Sequence, residues 1–361
     1  MSTLTTNYLA PSGREEAWRF TPLKRLAGLQ IPETSTTSEI SFTVKSGASS
    51  QALFKEIDNA ELTPRYNSDD LITKRVRHEV TRTSLLTIAK DAELTEPIIL
   101  GRNCTGKPQV SRLVIEAGVN SVSTVIIENS GDAQIGEEIE IIVSTGAKLN
   151  FVTLQEWSSD AIHLGQHHAL IAKDGEFNSY VITVGGSVVR LNPTVDFTGE
   201  GANANLFGLY FATAGQHLEH RIHVDHKIAN AKSRVNYKGA LSGKDAHTVW
   251  IGDVFIHKGA DGTDTYELNR NLLLTDGARA DSVPNLEIET GEIVGAGHAS
   301  TTGRFDDEQL FYLQSRGIPS ELARRLVIRG FFAEIISKLS NETIEERIMD
   351  CIDNELSKVG V

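Results

Sequence analysis

The sequence predicts a mainly β protein: a parallel β-helix core, a mixed and helical segment before it and a helical domain after it. Three observations predict this. From Pro97 onward short β-branched runs recur, among them Leu113-Val114-Ile115, Val125-Ile126-Ile127, Ile139 to Val143 and Val181 to Val184. Small turns separate the runs at steps of about 15 residues, from Ala117-Gly118 through Asp132-Ala133, Thr145-Gly146 and Asp160-Ala161 to Asp261-Gly262 and Asp276-Gly277, with one step missing near Val188. Beyond Gly303 the apolar spacing changes to that of helices. A recurrence of about 15 residues, or about 30 if two strands make one coil, is the mark of a solenoid. Paired helices do not fit runs so short and so β-branched.

Residues 1–96 read as the mixed N-terminal region. Thr21 with Pro22 after it predicts a capped helix to about Leu26. The stretch 33–39 reads as a polar linker, and Phe42 and Val44 suggest a strand. A helix is expected around Ser84 to Ala89, with Lys74, Arg75, Arg77 and Arg82 as a solvated basic face. Residues 97–303 form the β-helix, whose end coils need caps because they would otherwise expose apolar faces and unpaired edges. The N-terminal segment and the C-terminal helices are expected to supply them.

Leu286-Glu287-Ile288 and Glu292-Ile293-Val294 alternate like half-buried strands, and Gly295, Ala296 and Gly297 then bare His298 where strand gives way to helix. Residues 304–361 read as helical. Asp306 with Gln309 is a capping-box variant, Gly317 stops that helix, and Pro319 opens the next. This next helix, through Leu322, Leu326, Phe331, Phe332 and Ile335, is apolar nearly all round, which suggests a surface for another protein. The last helix, capped by Ser340 or Asn341, is amphipathic through Ile344, Ile348, Ile352 and Leu356.

In 361 residues a formal net charge of -13 argues against nucleic acid, which is gripped by Lys and Arg. No run suits a membrane span or a signal peptide, so a cytoplasmic protein is expected. Two cysteines, Cys104 and Cys351, cannot supply four thiolates to a cluster. Gly239 to Asp245 falls short of a phosphate loop, with Asp245 where Ser or Thr would meet magnesium. His217, His220, His223 and His226 recur every third residue; on a strand, only His217 with His223 and His220 with His226 share a side. His163, His167 and His168 make a second group. Whether the first group binds metal stays open, and His298 is the stronger candidate. A carbohydrate-active β-helix, with Asp253 or Asp261 as carboxylates, is the competing reading.

The entry Gly13 to Leu23, the runs Arg270-Asn271, Ser282-Val283-Pro284-Asn285-Leu286-Glu287-Ile288 and Gly297-His298-Ala299-Ser300-Thr301-Thr302-Gly303, and the block Asp307 to Ile318 resemble the SufB/SufD family of iron–sulfur cluster assembly subunits. The resemblance implies a β-helix with helical ends, a SufB-type subunit as heterodimer partner, and a SufC ATPase docked on the C-terminal helices. Phe311, Leu313, Arg316, Leu326, Phe331 and Phe332 are the residues expected to meet it. Where SufB-type chains are expected to carry Cys-Gly-Ala-His-Thr, this chain has Asp276-Gly277-Ala278-Arg279-Ala280, so it resembles the SufD-type side of the family. The resemblance then implies a non-catalytic scaffold that binds no cofactor alone. His298 falls on the histidine implicated in holding a nascent iron–sulfur cluster at the interface with the SufB-type partner. The motif departs from the family's in reading His-Ala-Ser-Thr, with Ala296 where a cysteine sometimes stands. Isolated, the chain is a candidate homodimer.

Overall fold

A strand with apolar side chains at alternate positions buries one face and leaves main-chain donors and acceptors along both edges, so a like strand laid beside it completes it. The computed structural model, which describes residues 9–31, 38–305, 307–339 and 341–358, stacks the recurrent runs in this way. Its opening strands are β1 (Ser38–Glu39), β2 (Thr43–Ser46), β3 (Ala52–Asp58) and β4 (Arg82–Ile88), with helix α1 (Leu71–Glu79) before β4. Two long strands follow, β5 (Ile98–Ala117) and β6 (Val122–Val143). Eleven shorter ones complete the coil: β7 (Lys148–Trp157), β8 (Ile162–Ile171), β9 (Glu176–Thr183), β10 (Val188–Phe197), β11 (Asn203–Ala212), β12 (His217–His226), β13 (Lys232–Leu241), β14 (His247–Ile256), β15 (Asp264–Leu273), β16 (Arg279–Ile288) and β17 (Gly295–Arg304). Helices α2 (Asp307–Ser315), α3 (Ser320–Ile336) and α4 (Glu342–Lys358) end the chain.

From β6 on, each strand pairs in parallel with the strand two later, so one coil is two strands and about 30 residues, as the turn spacing predicts. Strands β7 to β17 by odd number make one wall and β6 to β16 by even number the other, with Ile135, Ile139, Phe151, Val181, Leu206 and Val235 among the side chains filling the space between. The missing corner near Val188 is present at Gly185 and Gly186, where Gly186 takes φ +91°. Asp132-Ala133 is not a break: β6 runs through it unbroken.

The N-terminal region differs from expectation. Ser84 to Ile88 lie in strand β4, which pairs in parallel with β5 and so begins the stack, while β3 pairs antiparallel with β4 and covers that edge. The helix is α1, capped by the Asp70 carboxylate on the Thr73 amide. The basic face is half interior, because Arg75 is 5% exposed and donates to the carbonyls of Gly28, Leu29 and Ile31, and Arg77 pairs with Glu138. Thr21 caps no helix. Its hydroxyl donates to Glu219 at 2.8 Å, and a short 3₁₀ turn, Leu23–Arg25, takes the place of the expected helix. Part of the 33–39 linker, and the Asp306 cap with its Gln309 side chain, lie outside the described residues.

The C-terminal helices are not an end cap. Ile328, Phe332, Ile335 and Ile336 of α3 with Ile344, Ile348 and Ile352 of α4 pack on the outer face of the odd wall, against Val152, Ile182, Leu209 and Ala240. Trp18, Leu26, Leu29, Ile72 and Val76 cover the even wall in the same manner. The coil is thus flanked on both sides and closed at its first end, while β16 and β17 each pair with one neighbour only among the described residues. No helix among the described residues is long and apolar enough to cross a membrane.

Candidate functional site at the open end

Glu292 to Val294 form loop rather than strand, so His298 falls not at a strand end but in the middle of β17. Its register is with Glu267, and Ala296, two residues earlier, packs on the interior core. In-register side chains on parallel strands share a face. His298 therefore continues an interior column, Phe151, Ser179, Leu206, Val235, Glu267, His298, past the last complete coil. Since no described strand stacks beyond it, the residue is exposed, and no described side chain holds the ring. An unheld imidazole beside an unpaired strand edge can ligate a metal that a second protein brings.

One coil inward the site becomes buried and polar. Glu267 is fully buried with both carboxylate oxygens unpartnered, and burial, aided by Asp253, raises its carboxyl to about 8. Beside it, Tyr210 donates to Asn271 at 2.9 Å, Asn271 to Asn269 at 2.7 Å, and Asn269 back to the Tyr210 oxygen at 2.8 Å, with Ser282 donating to Asn269 from the opposite wall. Gly239 admits the Tyr210 ring, since a Cβ there would stand 1.9 Å from it. Near the first end, Arg102, His163 and His167 all converge on Glu137, buried between them. Burial lowers His163, whereas Arg102 and His163 overcome burial to hold Glu137 well below the usual carboxylate range.

The β12 histidines alternate as expected. His220 and His226 face the interior, His220 stacked on Tyr210 and His226 tilted against Phe197, and His217 and His223 face outward. Among the described residues no three His, Cys, Asp or Glu side chains converge as a metal site. Both thiols are buried, and burial raises Cys104 and lifts Cys351 to about 12, so neither presents a thiolate. Gly239 lies in strand β13 and Asp245 in a corner, without the helix a phosphate loop needs. Asp253 accepts from Asn285 and Asp261 from Thr290, two separate local bonds rather than a carboxylate pair.

The structure divides the residues expected to meet an ATPase. Phe311 is 71% and Leu326 43% exposed, and Tyr312 and Leu322 are exposed on the same two helices, α2 and α3. Arg316 is exposed, Leu313 half-buried, and Phe331 half-buried beneath the Lys238 ammonium, 4.7 Å away. Phe332 is a correction: it is 0% exposed, because the sheet's outer face needs it as core, so it offers no surface. Sequence reasoning missed Glu267, Asn269 and Asn271. Aligning the strands at the coil period would have placed all three in interior columns.

A family profile described as SUF system FeS cluster assembly, SufBD core domain, matches residues 100–331. An iron–sulfur cluster assembly SufBD family protein of Mycobacterium tuberculosis is 46% identical over 360 residues, 96% of this chain and 89% of that protein. The similarly described protein of Mycobacterium leprae is 45% identical over 355 residues, 96% and 91% of the two chains. The iron–sulfur cluster assembly protein SufD of Escherichia coli is 30% identical over 221 residues, 61% of this chain and 52% of that one.

Proposed function

The chain belongs to the SufBD family of iron–sulfur cluster assembly proteins, and from that premise we propose that it is a SufD-like, non-catalytic scaffold subunit. A SufB-type partner pairs with the open end of the coil, and a SufC-type ATPase docks on α2 and α3, where Phe311 and Leu326 are exposed. The cluster is cargo: the partner contributes a thiolate and His298 an imidazole at their shared seam, so the chain alone holds no cofactor. ATP-driven closure of the ATPase pulls on the C-terminal helices and shifts that seam. This work takes place in the cytoplasm, without nucleic acid.

One observation carries the reading: the last coil keeps an unpaired edge, and the exposed His298 stands on it. Open β edges invite pairing with another chain, and stable monomers generally cover them. The absence of an exposed thiolate here supports a partner that supplies one. The test is His298→Ala in a complex reconstituted with SufB-type and SufC-type partners. Assembly is expected to survive and cluster loading to fall; wild-type loading would reject the ligand role, and failure of the wild-type chain to bind either partner, with homodimers instead, would reject the scaffold reading.

A further inference from the structure

On the outer face of the even wall two histidines stand in register on adjacent coils, His217 of β12 and His247 of β14. The seam at His298 leaves them unused. Each turns its Nε2 to a carboxylate: His217 to Glu219 at 3.1 Å, His247 to Asp281 at 2.7 Å. Glu219 faces Arg190 at 3.4 Å and accepts from Thr21, and Asp281 is bracketed by Arg279, so both are ionised acceptors. With each Nε2 turned to a carboxylate, the Nδ1 atoms are the ring positions left to face each other.

Those two Nδ1 atoms lie 3.1 Å apart. Two facing imidazole nitrogens need an electrophile between them, a proton or a metal ion. The ring centroids are 4.8 Å apart and the planes cross at 75°. A head-on N–H···N hydrogen bond at this separation would hold the centroids roughly 5.4 Å apart. The shorter value shows that the contact is bent away from head-on, the arrangement in which both nitrogens can face one ion. An ion about 2.1 Å from each nitrogen, the usual metal–imidazole distance, would see the two at close to a right angle.

We propose that His217 and His247 bind one divalent first-row transition-metal ion through Nδ1, as adjacent positions of a six-coordinate site. A carboxylate holding the far nitrogen of a ligating imidazole is the usual second layer of such sites, and here both ligands have one. The nitrogen donors select against calcium and magnesium, which need oxygens, and the nearby oxygens are already engaged by arginines and Thr21. Only two ligands come from the protein, since no third His, Cys, Asp or Glu converges there among the described residues. Water fills the remaining positions, and the ion is exchangeable. His217 is 2% exposed, whereas the His247 side chain is 25% exposed, so the ion enters from the His247 side.

Metal-free full-length protein is titrated anaerobically with Co2+, read by its visible ligand-field bands, and then with Fe2+ in competition. One Co2+ per chain is expected, with affinity lowered at least roughly tenfold by His217→Ala and by His247→Gln and unchanged by His223→Ala. Equal affinity in wild type and His247→Gln, or no cobalt bands in wild type, overturns the proposal. Loss of binding in His298→Ala alone does so too. Should the buried His217 variant fail to fold, the half-exposed His247 variant decides by itself. Because cluster loading at the seam is measured separately, failure here leaves the scaffold reading standing.

Discussion

The two ends of the coil are finished in opposite ways. At the first end β4 is stacked on β5, β3 closes β4 from the side, and Leu86 is fully buried beneath them. At the other end β16 and β17 keep edges unpaired among the described residues, and Val294, Ile288 and Tyr266 are 73%, 44% and 43% exposed. The interior follows the same divide: Glu137 is buried with its arginine and two histidines, whereas His298 stands in the open. A solenoid is indifferent to where it stops, so an end is closed only where residues are spent on closing it.

The largest effect that sharpens this contrast is on stability. Leu86→Ala at the closed end is expected to cost about 2–5 kcal/mol, while Val294→Ser at the open end shifts the isolated chain by less than about 0.5 kcal/mol, both read from urea midpoints. Similar costs at the two ends would break the comparison. Next comes acid lability of the sealed interior. Burial lowers His220 from 6.5 to about 3, so between those values the unfolded chain takes up a proton that the folded chain refuses. Stability is therefore complete above about pH 6.5 and falls on acidification by up to about 1.4 kcal/mol per pH unit. His220→Gln should flatten that slope in denaturation measured from pH 7 to pH 4, and His298→Gln should not. The smallest effect is on association: Phe311→Asp should weaken binding of a SufC-type ATPase by about tenfold, roughly 1.4 kcal/mol, in a pull-down titration while leaving the urea midpoint unchanged.

Much of this was legible in the chain. Corners such as Thr145-Gly146 and Asp276-Gly277 exposed the coil period because each coil repeats the same geometric demand. The alternation that separates His217 from His220 follows from strand pleating alone. The candidate ligand, His298, was legible through the glycines that bare it and through its motif, but nothing local shows that no further coil follows. The surface expected of α3 was half wrong for a related reason. Phe332 and Leu326 look alike in sequence, but one is core and the other solvent because of where the sheet lies.

What the sequence determined by itself is the repeat: strand length, corner residues and apolar alternation are local properties, readable within about 15 residues. Only the tertiary structure decided which residues meet across coils. Strands about 30 residues apart set Glu267 beside His298 and His217 beside His247, and a slip of one residue in register would have sent each to the opposite face. Register comes from the summed packing of every coil on its neighbours, and no single stretch of the chain contains that sum.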